Sequence, residues 1–232
     1  MNSSTATTPS TITLGGGCFW CLEAVFQRLR GVLSVESGYC NGNGLATSYE
    51  AVCAGNTGHV EVVRVVFDAD ELPLADLLRV FFHMHDATTL NRQGADVGPQ
   101  YRSGIYFHDE AQHAVARQVL AEAQAALGGR AVTELQAVRD YSAAEAYHQR
   151  YFERNPTAGY CAFVVAPKVA KFQAAFADRL RDAALGSGGR ESAGLEGARA
   201  AVRAGPTTVL SRPRPANRAA PAVARCLGIG QE

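Results

Sequence analysis

The chain has 232 residues, with 22 basic and 22 acidic side chains, long enough for one large domain or two small ones. A zero formal charge offers nothing to nucleic acid or to an anionic membrane, and no apolar run approaches the ~20 residues that span a bilayer. Residues 1–10 are Ser/Thr-rich with neither a basic start nor an apolar stretch, so they carry no secretory signal, and the six cysteines read as reduced cytoplasmic thiols, catalytic or metal-bound, rather than a disulfide framework.

In chain order, residues 11–14 form a short apolar strand that runs into Gly15-Gly16-Gly17-Cys18-Phe19-Trp20-Cys21-Leu22-Glu23. Apolar residues at Leu22, Val25, Phe26 and Leu29 then mark one face of a helix. The turn between strand and helix is thus all glycine, which frees the backbone and lets a ligand come close. The first side chain after it is a thiol, Cys18. Unpaired N–H groups at a helix start favour thiolate over thiol, and a free Cys, with a pKa of about 8.5, needs that help at neutral pH. Phe19 and the chain's only Trp, Trp20, could be core packing. Beside a reactive sulfur they also suit an apolar pocket for a small group such as a methyl thioether.

Residues 32–38 read as a strand leading into an Asn-Gly loop over 39–44. The run at 60–68, apolar on both faces, reads as a central strand. A helix with Pro73 in its first turn carries Leu74, Leu77, Leu78, Phe81 and Phe82 on one side. Residues 84–102 form a long polar loop, a type that is often functional. A short strand follows at 103–107. Asp109 then caps a helix bearing Val115, Val119, Leu120 and Leu127, and Gly128-Gly129 ends it. Another strand is expected at 132–138. Ser142-Ala143-Ala144-Glu145 reads as a capping box opening a helix through Tyr147 and Tyr151. A last strand is expected at 160–165, before a helix from Pro167 with Val169, Phe172, Phe176 and Leu180 on one side.

The interleaving predicts an α+β fold, a mixed sheet with helices packed on it. Residues 11–185 are expected to form one domain that carries the reactive thiol. Residues 1–10 read as a flexible start, and the Ala/Gly/Pro/Arg-rich stretch 186–232 as a disordered tail.

The motif Gly-Cys-Phe-Trp-Cys-x-Glu at residues 17–23 resembles the signature of the A-type peptide methionine sulfoxide reductases, and the likeness extends over roughly residues 11–176. That resemblance implies a ferredoxin-like core with long loops. It implies a thiol enzyme reducing the S epimer of methionine sulfoxide, free or protein-bound. Thioredoxin would recycle it, or dithiothreitol in vitro. A monomer with no bound cofactor or metal is expected.

Glu61 lies on the same strand face as Val63, Val65 and Phe67. A carboxylate there is costly and its pKa should rise, unless it is a strand-end Glu facing water. Its setting, Thr57-Gly58-His59-Val60-Glu61, matches the family's Thr-Gly-His-x-Glu, in which the Glu binds and protonates the sulfoxide oxygen. A placed proton donor typically contributes ~10²–10⁴ in rate, and nearby hydroxyls would steady the same charge. By motif, Tyr49 and Tyr101 match the family's two site tyrosines, and Asp96 its substrate-holding acid.

A sulfenic acid on Cys18 needs a second thiol within reach. Cys21, one helical turn on, and Cys161, which matches a resolving position in one branch of the family, rank level. Cys226 ranks below them. Three other readings compete. Cys18 and Cys21 could be half a zinc site, but no second pair follows at finger-like spacing. A thioredoxin-like exchanger would need neither Glu61 nor aromatics between the two cysteines. A non-catalytic sulfoxide-binding module would not need Cys18.

Overall fold

The computed structural model describes residues 9–44 and 48–181. The expected flexible start up to residue 8, the tail from 186 and Cys226 lie outside the described residues.

Strand β1 (Ser10–Gly15) leads through the glycines into α1 (Phe19–Phe26), and β2 (Val32–Cys40) returns along the sheet. After α2 (Tyr49–Cys53) come β3 (Val60–Phe67) and α3 (Leu74–Met84). The long polar loop holds a small hairpin, β4 (Arg92–Gln93) and β5 (Asp96–Val97), and a 3₁₀ turn at Pro99–Tyr101. Then follow β6 (Gly104–Phe107), α4 (Glu110–Ala126), β7 (Glu134–Ala137), β8 (Ser142–Ala143), α5 (Tyr151–Arg154) and α6 (Ala166–Ala175).

The main sheet runs β7-β6-β1-β3-β2-β8. Its pairs are antiparallel except β6 with β7, which are parallel and joined by α4. The inner four strands, β6-β1-β3-β2, with α1 and α3 as their crossovers, make the expected ferredoxin-like α+β core.

Central β3 explains most of the packing. Period-two alternation puts Val63, Val65 and Phe67 on one face with Ile12 and Leu14 of β1, packed with buried residues of α1, α3 and α6. Each such side chain contributes about 1.5–3 kcal/mol on full burial. Val60 and Val62 face the other way, into a small cluster with Cys40 and Tyr106. Glu61 belongs to the first face, pointing to the helices.

Helix α4 starts and stops as its sequence requires. Gln112 N donates to the Asp109 carboxylate (2.8 Å), and Gly128 and Gly129 take φ of +62° and +77°. In α3, Leu77, Leu78, Val80 and Phe81 are buried, and Pro73 is the last residue before the helix rather than part of it.

Three expectations need correction. Helix α1 stops at Phe26 and is buried on every side, so it has no solvent face, and Leu29 instead bridges to Leu180. The capping box does not form. Ser142 and Ala143 pair with β2 as a strand, and the Glu145 carboxylate reaches across the fold to accept from Tyr49 N (2.8 Å) and Tyr39 Oη (3.0 Å). The helix beyond it starts only at Tyr151, after Arg150 in the left-handed region (φ 52°). Residues 160–165 are helical, not extended: a wide π turn, Cys161–Val165, runs straight into α6. Cys161, Val165 and Val169, four apart, are buried while Phe163 is 83% exposed, so helical spacing of the buried contacts overrode the β propensity of Tyr-Cys-Ala-Phe-Val-Val.

Candidate active site

The site begins at a kink. Gly17 has φ +92°, and a Cβ there would stand 2.6 Å from Gln93 Cγ. Only glycine fits both demands. The kink leaves Cys18 as the residue just before α1, with φ −56° and ψ 124°. The next N–H, that of Phe19, has no partner inside the helix, and it donates to Glu61 Oε2 at 3.1 Å. One bond thus ties the helix that carries the thiol to the strand that carries the carboxyl.

Glu61 is 1% exposed. Burial, aided by the charges of Asp96 and Cys21 and opposed by the Phe19 bond, pushes its pKa up to about 8. At neutral pH this favours the protonated acid, one of the two outcomes the strand pattern left open. Around it stand Tyr49 and Tyr101, 2% and 0% exposed. Burial and the neighbouring Glu61 and Cys18 hold both phenols well above their usual range, so both remain neutral hydroxyls. Asp96 accepts from Tyr160 Oη at 2.7 Å, and burial raises its carboxyl.

The two aromatics after Cys18 are buried and pack against neighbouring rings. Trp20 stacks on Tyr151 at 3.9 Å and meets the Tyr160 ring edge-on at 5.8 Å, contacts worth about 0.5–1.5 kcal/mol each beyond their burial. Phe19 lies among Tyr39, Tyr49 and His148, with ring centroids 5.8, 6.4 and 5.1 Å away. The motif's Glu23 acts on the scaffold instead. Its Oε1 accepts from Arg150 N (2.8 Å), which fastens α1 to the left-handed residue before α5.

The ionisation of the thiols differs from the sequence expectation. Burial raises Cys18 well above an ordinary thiol, aided by its hydrogen bond to Cys21 and by the charges of Cys21, Glu61 and Asp96. Cys21 moves the other way, down to about 7, because Cys18 donates to it and the Lys168 ammonium faces it. The helix start cannot rescue Cys18. Helix α1 is two turns long, the Phe19 N–H is spent on Glu61, and desolvation of a thiol 2% exposed outweighs the remaining dipole. The two sulfurs are thus pushed in opposite directions, Cys18 towards the thiol and Cys21 towards the thiolate. Cys161, also buried, is pushed up to about 11 by burial and by Cys21.

The structure therefore brings together Cys18, Cys21, Phe19, Trp20, Tyr49, Glu61, Asp96, Tyr101 and, next to Cys21, Cys161. The sequence reading missed Tyr160, Lys168, Glu145 and His148. Tyr160 was hidden by the strand assignment and Glu145 by the capping box. His148 sits 4.4 Å from the Tyr49 ring. Lys168 gave no local signal, being one charged residue on a surface helix. Among the described residues no group of three His, Cys, Asp or Glu is placed to hold a metal ion, and no helix is long and apolar enough to cross a membrane.

A family profile described as peptide methionine sulfoxide reductase matches residues 10–180. A peptide methionine sulfoxide reductase MsrA of Thermus thermophilus is 51% identical over 169 residues, 73% of this chain and 96% of its own length. One from Saccharolobus solfataricus is 45% identical over 169 residues, with the same shares of 73% and 96%. Among solved structures, Mxr1 from Saccharomyces cerevisiae in reduced form superposes with a TM-score of 0.62 at 33% identity, covering 69% of this chain and 92% of that one.

Proposed function

This chain belongs to the peptide methionine sulfoxide reductase family, and from that premise we propose how its own residues carry the reaction. It is a thiol-dependent oxidoreductase that reduces the S epimer of methionine sulfoxide to methionine. The methyl end of the substrate lies against Phe19 and Trp20, with Asp96 holding its polar part. The sulfoxide oxygen is turned to Glu61, Tyr49 and Tyr101.

Cys18 passes its proton to Cys21 as its sulfur attacks the sulfoxide sulfur. Glu61 gives its proton to the oxygen, the S–O bond moves from substrate to Cys18, and the thioether leaves as methionine. Cys18 is now a sulfenic acid. Cys21 attacks it, releases the borrowed proton to the departing hydroxide, and forms a disulfide with Cys18. Two protons, from Cys18 and Glu61, leave with the oxygen as water, and Glu61 regains its own from solvent. The tyrosine hydroxyls steady the charge building on the oxygen.

Cys21 is the resolving thiol in this reading because it already shares a hydrogen bond with Cys18 and is held near 7. Cys161, near 11 and with no cation acting on it among the described residues, is far less ionised at neutral pH. Thioredoxin reopens the disulfide, as the family resemblance implies, and dithiothreitol serves in vitro. Substrates are oxidised proteins and the free sulfoxide. The enzyme works as a monomeric domain over residues 11–185 in the cytoplasm; Cys18, Cys21, Cys40 and Cys161 are free thiols, but Cys53 is disulfide-bonded, so the expectation that all six cysteines are reduced does not hold.

The observation that carries the reading is the bond from Phe19 N to a protonated, buried Glu61 beside the thiol. One equivalent of sulfoxide without external thiol, followed by peptide mass mapping, tests the cycle. The expected product is a disulfide between Cys18 and Cys21, with no methionine from Cys18→Ser. A bridge between Cys18 and Cys161, or methionine from Cys18→Ser, overturns it.

A further inference from the structure

Lys168 has no place in the reaction as written above, yet its Nζ donates to Cys21 Sγ at 3.5 Å. It comes from α6, where Val169 and Phe172 are buried against the core and so fix the backbone that aims it. Lys168 itself is half-buried. A lysine in such a place could pair with a carboxylate instead. Asp96 is close enough to feel its charge, but its Oδ2 already accepts from Tyr160. No carboxylate comes within ion-pair distance of the ammonium among the described residues, whereas the Cys21 sulfur comes within hydrogen-bond distance.

The charges around the pair make this contact matter. Of the described groups acting on Cys21, namely Cys18, Asp96, Glu61, Tyr160, Cys161 and Lys168, all but Lys168 are acids. His85 also lies within range of the Lys168 charge, but burial pushes it down to about 4, so it is neutral at physiological pH. Cys161, with neither a Cys18 hydrogen bond nor a lysine charge acting on it among the described residues, is pushed up to about 11, while Cys21, which has both, falls to about 7.

We propose that Lys168 is a positioning residue for the resolving step: its ammonium, hydrogen-bonded to Cys21, holds that sulfur as a thiolate aimed at Cys18. This rests on the reading that Cys21 resolves. In the step itself, the Cys21 thiolate attacks the Cys18 sulfur, the S–S bond forms and the S–O bond breaks. Hydroxide leaves and takes up a proton as water. Cys21 is oxidised and the sulfenic sulfur of Cys18 reduced, so the electrons balance without another reactant. Lys168 is not consumed. It makes Cys21 acidic enough to return the borrowed proton and attack at once, which shortens the life of a sulfenic acid otherwise open to irreversible oxidation.

The expected size follows from thiol chemistry. Without the cation, Cys21 should titrate higher, and a more basic thiolate regains part of the loss through greater intrinsic nucleophilicity, with a Brønsted slope of about 0.4–0.5. Disulfide closure at pH 7 should therefore slow in Lys168→Met by roughly two- to fourfold for each unit that the Cys21 midpoint rises. The same slope predicts that the variant equals or exceeds the wild type near pH 10, where both thiols are ionised.

The test is rapid-quench single turnover from pH 6 to 10, with the remaining sulfenic acid trapped by dimedone and counted by mass. Wild type, Lys168→Met, Lys168→Gln, Lys168→Arg and Cys21→Ser are compared. In the first two variants the midpoint of the closure rate should rise by at least one pH unit and cross the wild-type curve, while Lys168→Arg should keep a wild-type midpoint. Thiolate absorbance of Cys18→Ser against Cys18→Ser/Lys168→Met reads the same shift without turnover. An unmoved midpoint in Lys168→Met and Lys168→Gln, or equal slowing in Lys168→Arg, overturns the proposal even where closure still depends on Cys21. Wild-type closure in Cys21→Ser instead overturns the assignment of the resolving thiol.

Discussion

Replacing Glu61 by Gln removes one transferable proton and little else, since the amide oxygen can still accept from Phe19 N at the 3.1 Å contact. The buried carboxyl titrates near 8 in the folded protein and near 4.3 in an unfolded chain. Between those values the unfolded chain binds fewer protons than the folded one. Stability from this group is therefore fully present below about pH 4 and lost as pH rises towards 8. At 1.36 kcal/mol per unit, the loss between pH 5 and pH 8 is on the order of 4 kcal/mol. Gln does not titrate, so the variant should gain stability on the wild type by about that amount across the same window. Urea unfolding of both proteins at pH 5, 6.5 and 8 measures it, and the difference between the curves isolates Glu61 from every other titrating group. Activity should move oppositely: methionine release in a single turnover falls on the order of a hundredfold or more. The wild-type decline above about pH 8, where Glu61 loses its proton, should vanish in the variant. Parallel stability curves, or an unaltered rate and pH profile, would refute the reasoning and leave Glu61 a packed carboxyl with no part in proton transfer.

Two further substitutions probe how the site is held. Gly17→Ala forces a side chain into φ +92° and against Gln93 Cγ at 2.6 Å, so urea unfolding should show a loss of about 2 kcal/mol or more, and an unchanged midpoint would mean that the kink relaxes freely. Asp96→Ala removes the acceptor of the Tyr160 hydroxyl and the acid proposed to hold substrate. Steady-state kinetics should show KM rising on the order of tenfold or more, the usual cost of one charge-assisted hydrogen bond, and an unchanged KM would remove Asp96 from substrate binding.

The sequence by itself determined whatever depends on neighbours along the chain. The step from β1 through the glycines to Cys18 is written in local residue types, as are the Asp109 cap of α4 and the apolar stripe of α3. The parity of β3 likewise placed Glu61 on the face of Val63 and Val65, though a strand-end Glu facing water remained open until the fold buried it. Tertiary structure decided the rest, because it turned on contacts between distant segments. Residues 160–165 have strand propensity, but Cys161 and Val165 find their burial one helical turn apart, so the segment winds. Glu145 looks like a local cap and is instead claimed by Tyr49 N and Tyr39 Oη, 96 and 106 residues away. Most of all, the choice of which sulfur is ionised could not be read from Cys18-Phe19-Trp20-Cys21. A helix start is a local feature, whereas desolvation comes from the whole core, and the cation that adds to the Cys18 hydrogen bond in lowering Cys21, Lys168, lies 147 residues from it in sequence. Buried charge answers to what stands within a few ångströms, and only the fold brings Lys168 there.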